Sequence, residues 1–226
     1  MFTVALAGLG CSPWTTPPEK ILEEVERLQP PPKLPQRLRV RLDLESPWLS
    51  GQFEGAVLVK EGPVLRAQFF PDVGGKAIDL LARRDRIVGY FPMAHEGIDC
   101  ALPSEAVPHP LLFMGLHLLE RAAPVTRDRV DGWFAISTGD AVRVRSLVEG
   151  ASETLFLALH EPRYIVWRKL RWMYGVEWKE VDESRDKFTV IAPRLKLRVE
   201  VLERKALESV PDSAFELSLP PELRPR

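Results

Sequence analysis

The sequence predicts a mainly β protein of the α+β class: an unclosed antiparallel β-barrel of about eleven strands with a helical lid. Three observations carry that expectation. Apolar and polar residues alternate with a period of two in run after run, the mark of strands with one dry and one wet face. Helical spacing occurs in two stretches alone, with no strand–helix–strand rhythm. The 21 prolines among 226 residues, about twice the ordinary share, sit between the apolar runs and separate short elements.

In chain order, Thr16-Pro17-Pro18-Glu19 has capping-box spacing with proline at the first helical position, and Ile21, Leu22, Val25 and Leu28 follow at helical intervals. This predicts a helix over 17–29. Pro30-Pro31-Pro32 and Pro35 stop it, because proline lacks the amide donor and clashes with the preceding turn. Leu38, Val40, Leu42 and Leu44 then alternate with Arg39, Arg41, Asp43 and Glu45. The pattern returns over 52–60, 64–70, 76–83 and 86–91, with turn signals at Glu61-Gly62-Pro63, 71–75 and Arg84-Asp85. Consecutive hairpins are expected.

Pro108-His109-Pro110 opens a second helix over 111–121, with Leu112, Leu116 and Leu119 on one face. Strands are expected again over 133–137, 142–148, 153–159, 164–172, 176–181, 187–192 and 195–202, and a last one over 215–219. An antiparallel sheet of this length curls, and two helices are too few to cover both faces but enough to close the mouth of a half-barrel. Such an interior is either a packed core or an apolar cavity.

Residues 1–10 are almost wholly apolar and end at Cys11, ahead of a polar, proline-rich stretch. An apolar run closed by small residues and a cysteine has the form of a bacterial lipoprotein signal, in which the cysteine becomes the acylated first residue. The alternative is a buried first strand with Cys11 as a small core hydrophobe. The run is too short for a transmembrane helix, which needs about 20 apolar residues. The expected division is therefore a signal over 1–11, possessing no basic residue before its apolar run, and one domain over 12–226.

Lys and Arg number 31 against 32 Asp and Glu, which removes the cationic excess of a nucleic-acid binder. Cys11 and Cys100 are too few for a disulfide scaffold and lack C-x-x-C spacing. His95-Glu96-Gly97-Ile98-Asp99-Cys100 gathers metal-capable groups without the helical spacing of a zinc motif, in an expected loop. No G-x-S-x-G elbow, P-loop or G-x-G-x-x-G occurs. No catalytic residue, metal or cofactor is expected. The basic-aromatic run Tyr164 to Trp172 reads as a solvated strand face with snorkelling stems, with anionic lipid headgroups as its next use.

The order of elements, the start before Cys11, the segment Leu65-Arg66-Ala67-Gln68-Phe69-Phe70-Pro71-Asp72-Val73-Gly74-Gly75-Lys76-Ala77-Ile78-Asp79-Leu80 and the closing Pro-Asp-Ser-Ala-Phe-Glu-Leu-Ser-Leu-Pro are similar to the LolA/LolB-like proteins of bacterial lipoprotein localisation. The resemblance spans nearly the whole chain. It implies an unclosed barrel with a helical lid that holds the acyl chains of lipoproteins, or phospholipid, in an apolar cavity. It also implies that Val73, in the place of the receptor's projecting apolar loop residue, enters the membrane. Val73 is smaller than the usual leucine there, and Asp72 beside it adds a charge. Phe53, Val57, Phe69, Leu80, Phe91, Leu112, Trp133 and Trp178 are the candidate lining. An acylated Cys11 implies a monomeric receptor on the inner leaflet of the outer membrane, facing the periplasm and receiving from a periplasmic lipoprotein carrier. The other reading is an envelope sensor or assembly scaffold on the same fold with a packed interior.

Overall fold

The computed structural model describes residues 14–28, 33–102, 109–122, 125–136, 139–147, 153–159, 167–171, 177–184, 186–192 and 195–223, with 153–184 described in backbone only. Helix α1 is Glu19–Leu28, and β1 to β6 are Gln36–Glu45, Gly51–Lys60, Val64–Phe70, Ile78–Ala82, Arg86–Phe91 and Glu96–Ala101. Helix α2 is Pro110–Ala122. Strands β7 to β13 follow at Val130–Ile136, Gly139–Arg145, Glu153–Leu159, Trp167–Arg171, Glu177–Ser184, Lys187–Ala192 and Leu195–Ala206.

Ten strands form one antiparallel sheet in the order β10-β11-β12-β13-β1-β2-β3-β4-β5-β6, and β7-β8-β9 form a second. Strand β9 lies beside β10, while α2 crosses the inner face of β3 to β6. The architecture is the expected unclosed antiparallel barrel with a helical lid. Its described strands number thirteen, against about eleven expected. Of the 95–100 segment, expected as a loop, residues 96–100 lie in β6: they are only half-dry, so no apolar alternation announces the strand. The 215–219 segment is no strand. Asp212–Phe215 is a 3-10 turn, and the chain from there to Leu219 lies over the outer face, where Phe215 and Leu219 are buried.

Sequence alternation becomes burial directly in β1. Val40, Leu42 and Leu44 face the core. Arg41 reaches Glu54 at 2.9 Å and Glu200 at 3.2 Å, and Arg198 reaches Asp43 at 3.0 Å. Cross-strand neighbours of opposite charge thus tile the outer face, each exposed pair contributing about 0–1 kcal/mol. Among the described residues two apolar cores result. The larger joins α2 to the inner faces of β1 to β5, β12 and β13. The smaller sets Ile21 and Val25 of α1 against Val130, Val142 and Val144. Arg127, in the 3-10 turn before β7, fastens α1 from outside through Glu19 and through Glu26 at 2.7 Å. The helix starts two residues beyond the expected position, with the Pro18 carbonyl accepting from the Ile21 amide at 2.9 Å.

Candidate functional site

The site is the contact between α2 and the inner face of the main sheet. Alternation along β2 points Phe53, Gly55, Val57 and Val59 inward, and Gly55 pairs with Phe69 across to β3. Its missing side chain leaves room for the Phe69 ring. On β5, Gly89 opens the same space for Leu80 and for Leu111 of α2. Glycines placed so let a strand bend while large side chains fill its hollow.

Phe53, Val57, Phe69, Leu80, Phe91 and Leu112 come together here, each no more than 4% exposed. Trp133 does not join them. It packs on the smaller core, its Nε1 donating to Asp140 at 3.1 Å while its backbone bridges Thr15. Trp178 stands on β11 with its side chain outside the described residues, as is all of Cys11. The His95 to Cys100 group is split: His95 takes a left-handed turn, and Asp99 is held by Arg86 at 2.5 Å. Among the described residues no three metal-capable side chains converge.

Two different fastenings hold α2. At its C-terminal end the buried carboxylate of Glu120 accepts from Arg129 at 2.7 Å, from the Leu147 amide at 2.6 Å and from the Ser146 hydroxyl. Arg121 lies over the Phe188 ring at 3.8 Å. Glu120→Ala is expected to lower stability by roughly 1.5–3 kcal/mol, the range for hydrogen bonds to a charged group, and to raise hydrogen exchange in α2 above that of β1. Urea unfolding and exchange mass spectrometry measure both.

At the other end, the Leu111 amide donates to Nδ1 of His109 at 3.1 Å, capping the helix. The imidazole lies against the rings of Trp48 and Phe91, at centroid distances of 4.9 and 6.0 Å. Burial pushes its pKa down to about 4 from 6.5. The folded state therefore favours the neutral ring. Its contribution is complete above pH 6.5 and is lost as pH falls from there through about 4. On the order of 2 kcal/mol of unfolding free energy, discounted for the ring's partial exposure, should disappear over that window. His109→Phe should flatten that part of the profile, as read by urea unfolding at a series of pH values.

The chain reverses between β1 and β2, β3 and β4, and β5 and β6 at one end of the sheet. The β12–β13 reversal joins that end because Lys196 pairs with both Glu45 and Ile191. All four exposed large hydrophobics among the described residues lie there: Phe70, Val73, Met93 and Ile191, with Val73 at 88%. The N-terminus of α2 meets the β1–β2 turn at the same end, through Trp48. Val73 stands on a loop fixed at its base, where the Ala77 amide donates to the Phe69 carbonyl at 2.9 Å and Lys76 meets Asp79 at 2.5 Å. On the outer face an open groove of about 1010 Å³ runs between the C-terminal segment and β4 to β6. Two of its charged walls, Arg86 and Asp99, are satisfied by each other.

No family model matches the chain, and no curated protein matches its sequence. Solved structures do. A LolA superfamily protein from Nitrosomonas europaea superposes with a TM-score of 0.58 over 88% of this chain and 96% of its own, at 11% identity. The chain has a LolA-like fold. A domain from Vibrio parahaemolyticus, named for outer membrane lipoprotein sorting, gives a TM-score of 0.52 at 9% identity over 87% of this chain and 94% of its own. A DUF1329 family protein from Desulfovibrio piger gives 0.55 at 8% identity, over 87% and 95%. On the LolA-like frame, the features the sequence did not disclose are the Glu120 clamp, the His109 cap and the companions of Val73 at the rim. Their partners lie far away in sequence, and no local spacing signals them.

Proposed function

We propose that the protein binds the acyl chains of lipoproteins, or phospholipid, between α2 and the inner face of β1 to β5, and assists their localisation to a membrane without catalysing a reaction. In this reading it is held by an acylated Cys11 on the inner leaflet of the outer membrane, facing the periplasm, and takes its cargo from a periplasmic carrier. One observation carries the reading: the helix that covers the apolar inner face starts at the same end of the sheet as the exposed apolar rim. The LolA-like fold and the name of the Vibrio domain support it.

The energetics fit such a role. An acyl chain in water costs about 0.8 kcal/mol per methylene, so the chain stays shielded until a bilayer is at hand. Among the described residues the inner face beneath α2 is packed by its own side chains, and in this reading cargo enters as α2 lifts and its apolar underside exchanges one hydrocarbon contact for another. The same filling favours the second reading, a sensor or scaffold with a permanently packed interior.

Purified protein with Cys11→Ser, mixed with a lipidated peptide, tests both. Saturable binding with raised hydrogen exchange in α2 is expected; a folded protein that shows neither is the scaffold. Mass spectrometry of Cys11 from the native host tests the anchor separately. Val73→Glu should leave acyl binding within about twofold and slow release of the bound peptide into liposomes. Unaltered release would remove the loop from the mechanism.

A further inference from the structure

His109 carries a polar atom that nothing above uses. Because Nδ1 accepts the Leu111 amide, the ring proton of the neutral imidazole resides on Nε2. That nitrogen is buried and has no hydrogen-bond partner among the described residues. An unmet buried donor costs about 1–3 kcal/mol, and persistent ones call for an explanation by function or by a missing partner.

Position supplies the explanation. The imidazole stands where the large core reaches the rim, walled by Trp48 and Phe91, with Leu111 and Leu112 of α2 beginning the apolar path inward. A ligand that suits this place is apolar along its length and bears one acceptor at its outer end. We propose that the Nε2–H of His109 donates a hydrogen bond to the carbonyl oxygen of a fatty acyl ester or amide whose chain lies beneath α2. This rests on the acyl-binding reading above and adds the group recognised and the residue that recognises it. A neutral carbonyl suits the place better than a carboxylate, since burial, which disfavours charge, holds the ring in its neutral form.

The test compares methyl palmitate with octadecane, an alkane of matching length without any hydrogen-bond acceptor, as competitors for diphenylhexatriene bound to the full chain. The wild type should prefer the ester by about fivefold to tenfold, the worth of one hydrogen bond. His109→Phe should abolish the preference. His109→Asn, which keeps both an acceptor for the Leu111 amide and an N–H donor, should retain part of it. In the wild type, the Nε2–H proton resonance should move downfield with the ester and stay in place with the alkane, a readout independent of whether any variant folds. An equal ester preference in wild type and His109→Phe, or an Nε2–H resonance indifferent to the ester, overturns the assignment while leaving acyl binding intact. Failure of the wild type to bind the probe or either competitor overturns the acyl-binding reading itself.

Discussion

Replacing Asp79 by alanine is expected to remove about 3–5 kcal/mol of stability, the loss that follows when one partner of a buried ion pair is taken away. Asp79 is 1% exposed, on the outer face of β4, and its carboxylate meets the guanidinium of Arg66 and the ammonium of Lys76. Burial lowers the pKa of Arg66, and burial together with the charge of Arg66 lowers that of Lys76. Both shifts measure how poorly the site tolerates positive charge, and without Asp79 two cations would face each other there. For a chain of 226 residues, each kcal/mol moves Tm by roughly 2–4 °C, so a fall of roughly 6–20 °C is expected. A buried pair is screened little, hence the deficit should persist in molar salt, whereas substitutions in the outer ladder of β1 should lose their effect. The Val73 loop should respond too, since Lys76 at its base would be released and exchange at the Ala77 amide should accelerate. A Tm within 2 °C of wild type, with unchanged exchange, would show that Arg66 finds other acceptors, of which the Leu80 carbonyl at 3.1 Å is the nearest at hand.

The same residue shows how far the sequence could be read. Alternation identifies which positions of β4 face the core, and Ile78 and Leu80 are found there. It cannot tell that the other face is covered as well, so Asp79 resembles Asp43, an exposed partner in the ladder. The covering segment on that side, Asp212 onward, follows in sequence long after β4, and its Phe215 was expected in a strand because its spacing suits one. Trp133 falls among the expected lining for the related reason that hydrophobicity reports burial but not which core does the burying. Pro71, Gly74 and Gly75 mark a turn around Val73, but that Val73 projects is what the family resemblance implies, and its exposure is a finding of the structure. Helix α2 was legible from its three leucines. The clamp at Glu120 was not, since a glutamate near the end of an amphipathic helix is ordinarily solvated.

Gly55→Ala should be as damaging as Asp79→Ala, for a reason that concerns space and not charge. A Cβ at Gly55 would collide with the backbone oxygen of Gln68 and stand 2.6 Å from the Phe69 ring and 2.9 Å from the Gln68 carbonyl carbon. A flexible side chain yields to an intruding methyl, but that oxygen belongs to a strand paired on both sides, to β2 and β4. Relief therefore requires β2 and β3 to part at the centre of the sheet, and a loss of roughly 3–5 kcal/mol is expected, at the upper limit of single substitutions. Gly62→Ala is the control. It lies in the β2–β3 turn at φ 84° with nothing within 4 Å of the added carbon, so it bears only the left-handed penalty of about 1 kcal/mol. Urea unfolding of the two variants separates steric from dihedral demand on glycine. If Gly55→Ala proved no worse than Gly62→Ala, the main sheet would be pliable where Phe69 lies over Gly55. An inner face that pliable could admit an acyl chain by spreading its own strands, without any movement of α2.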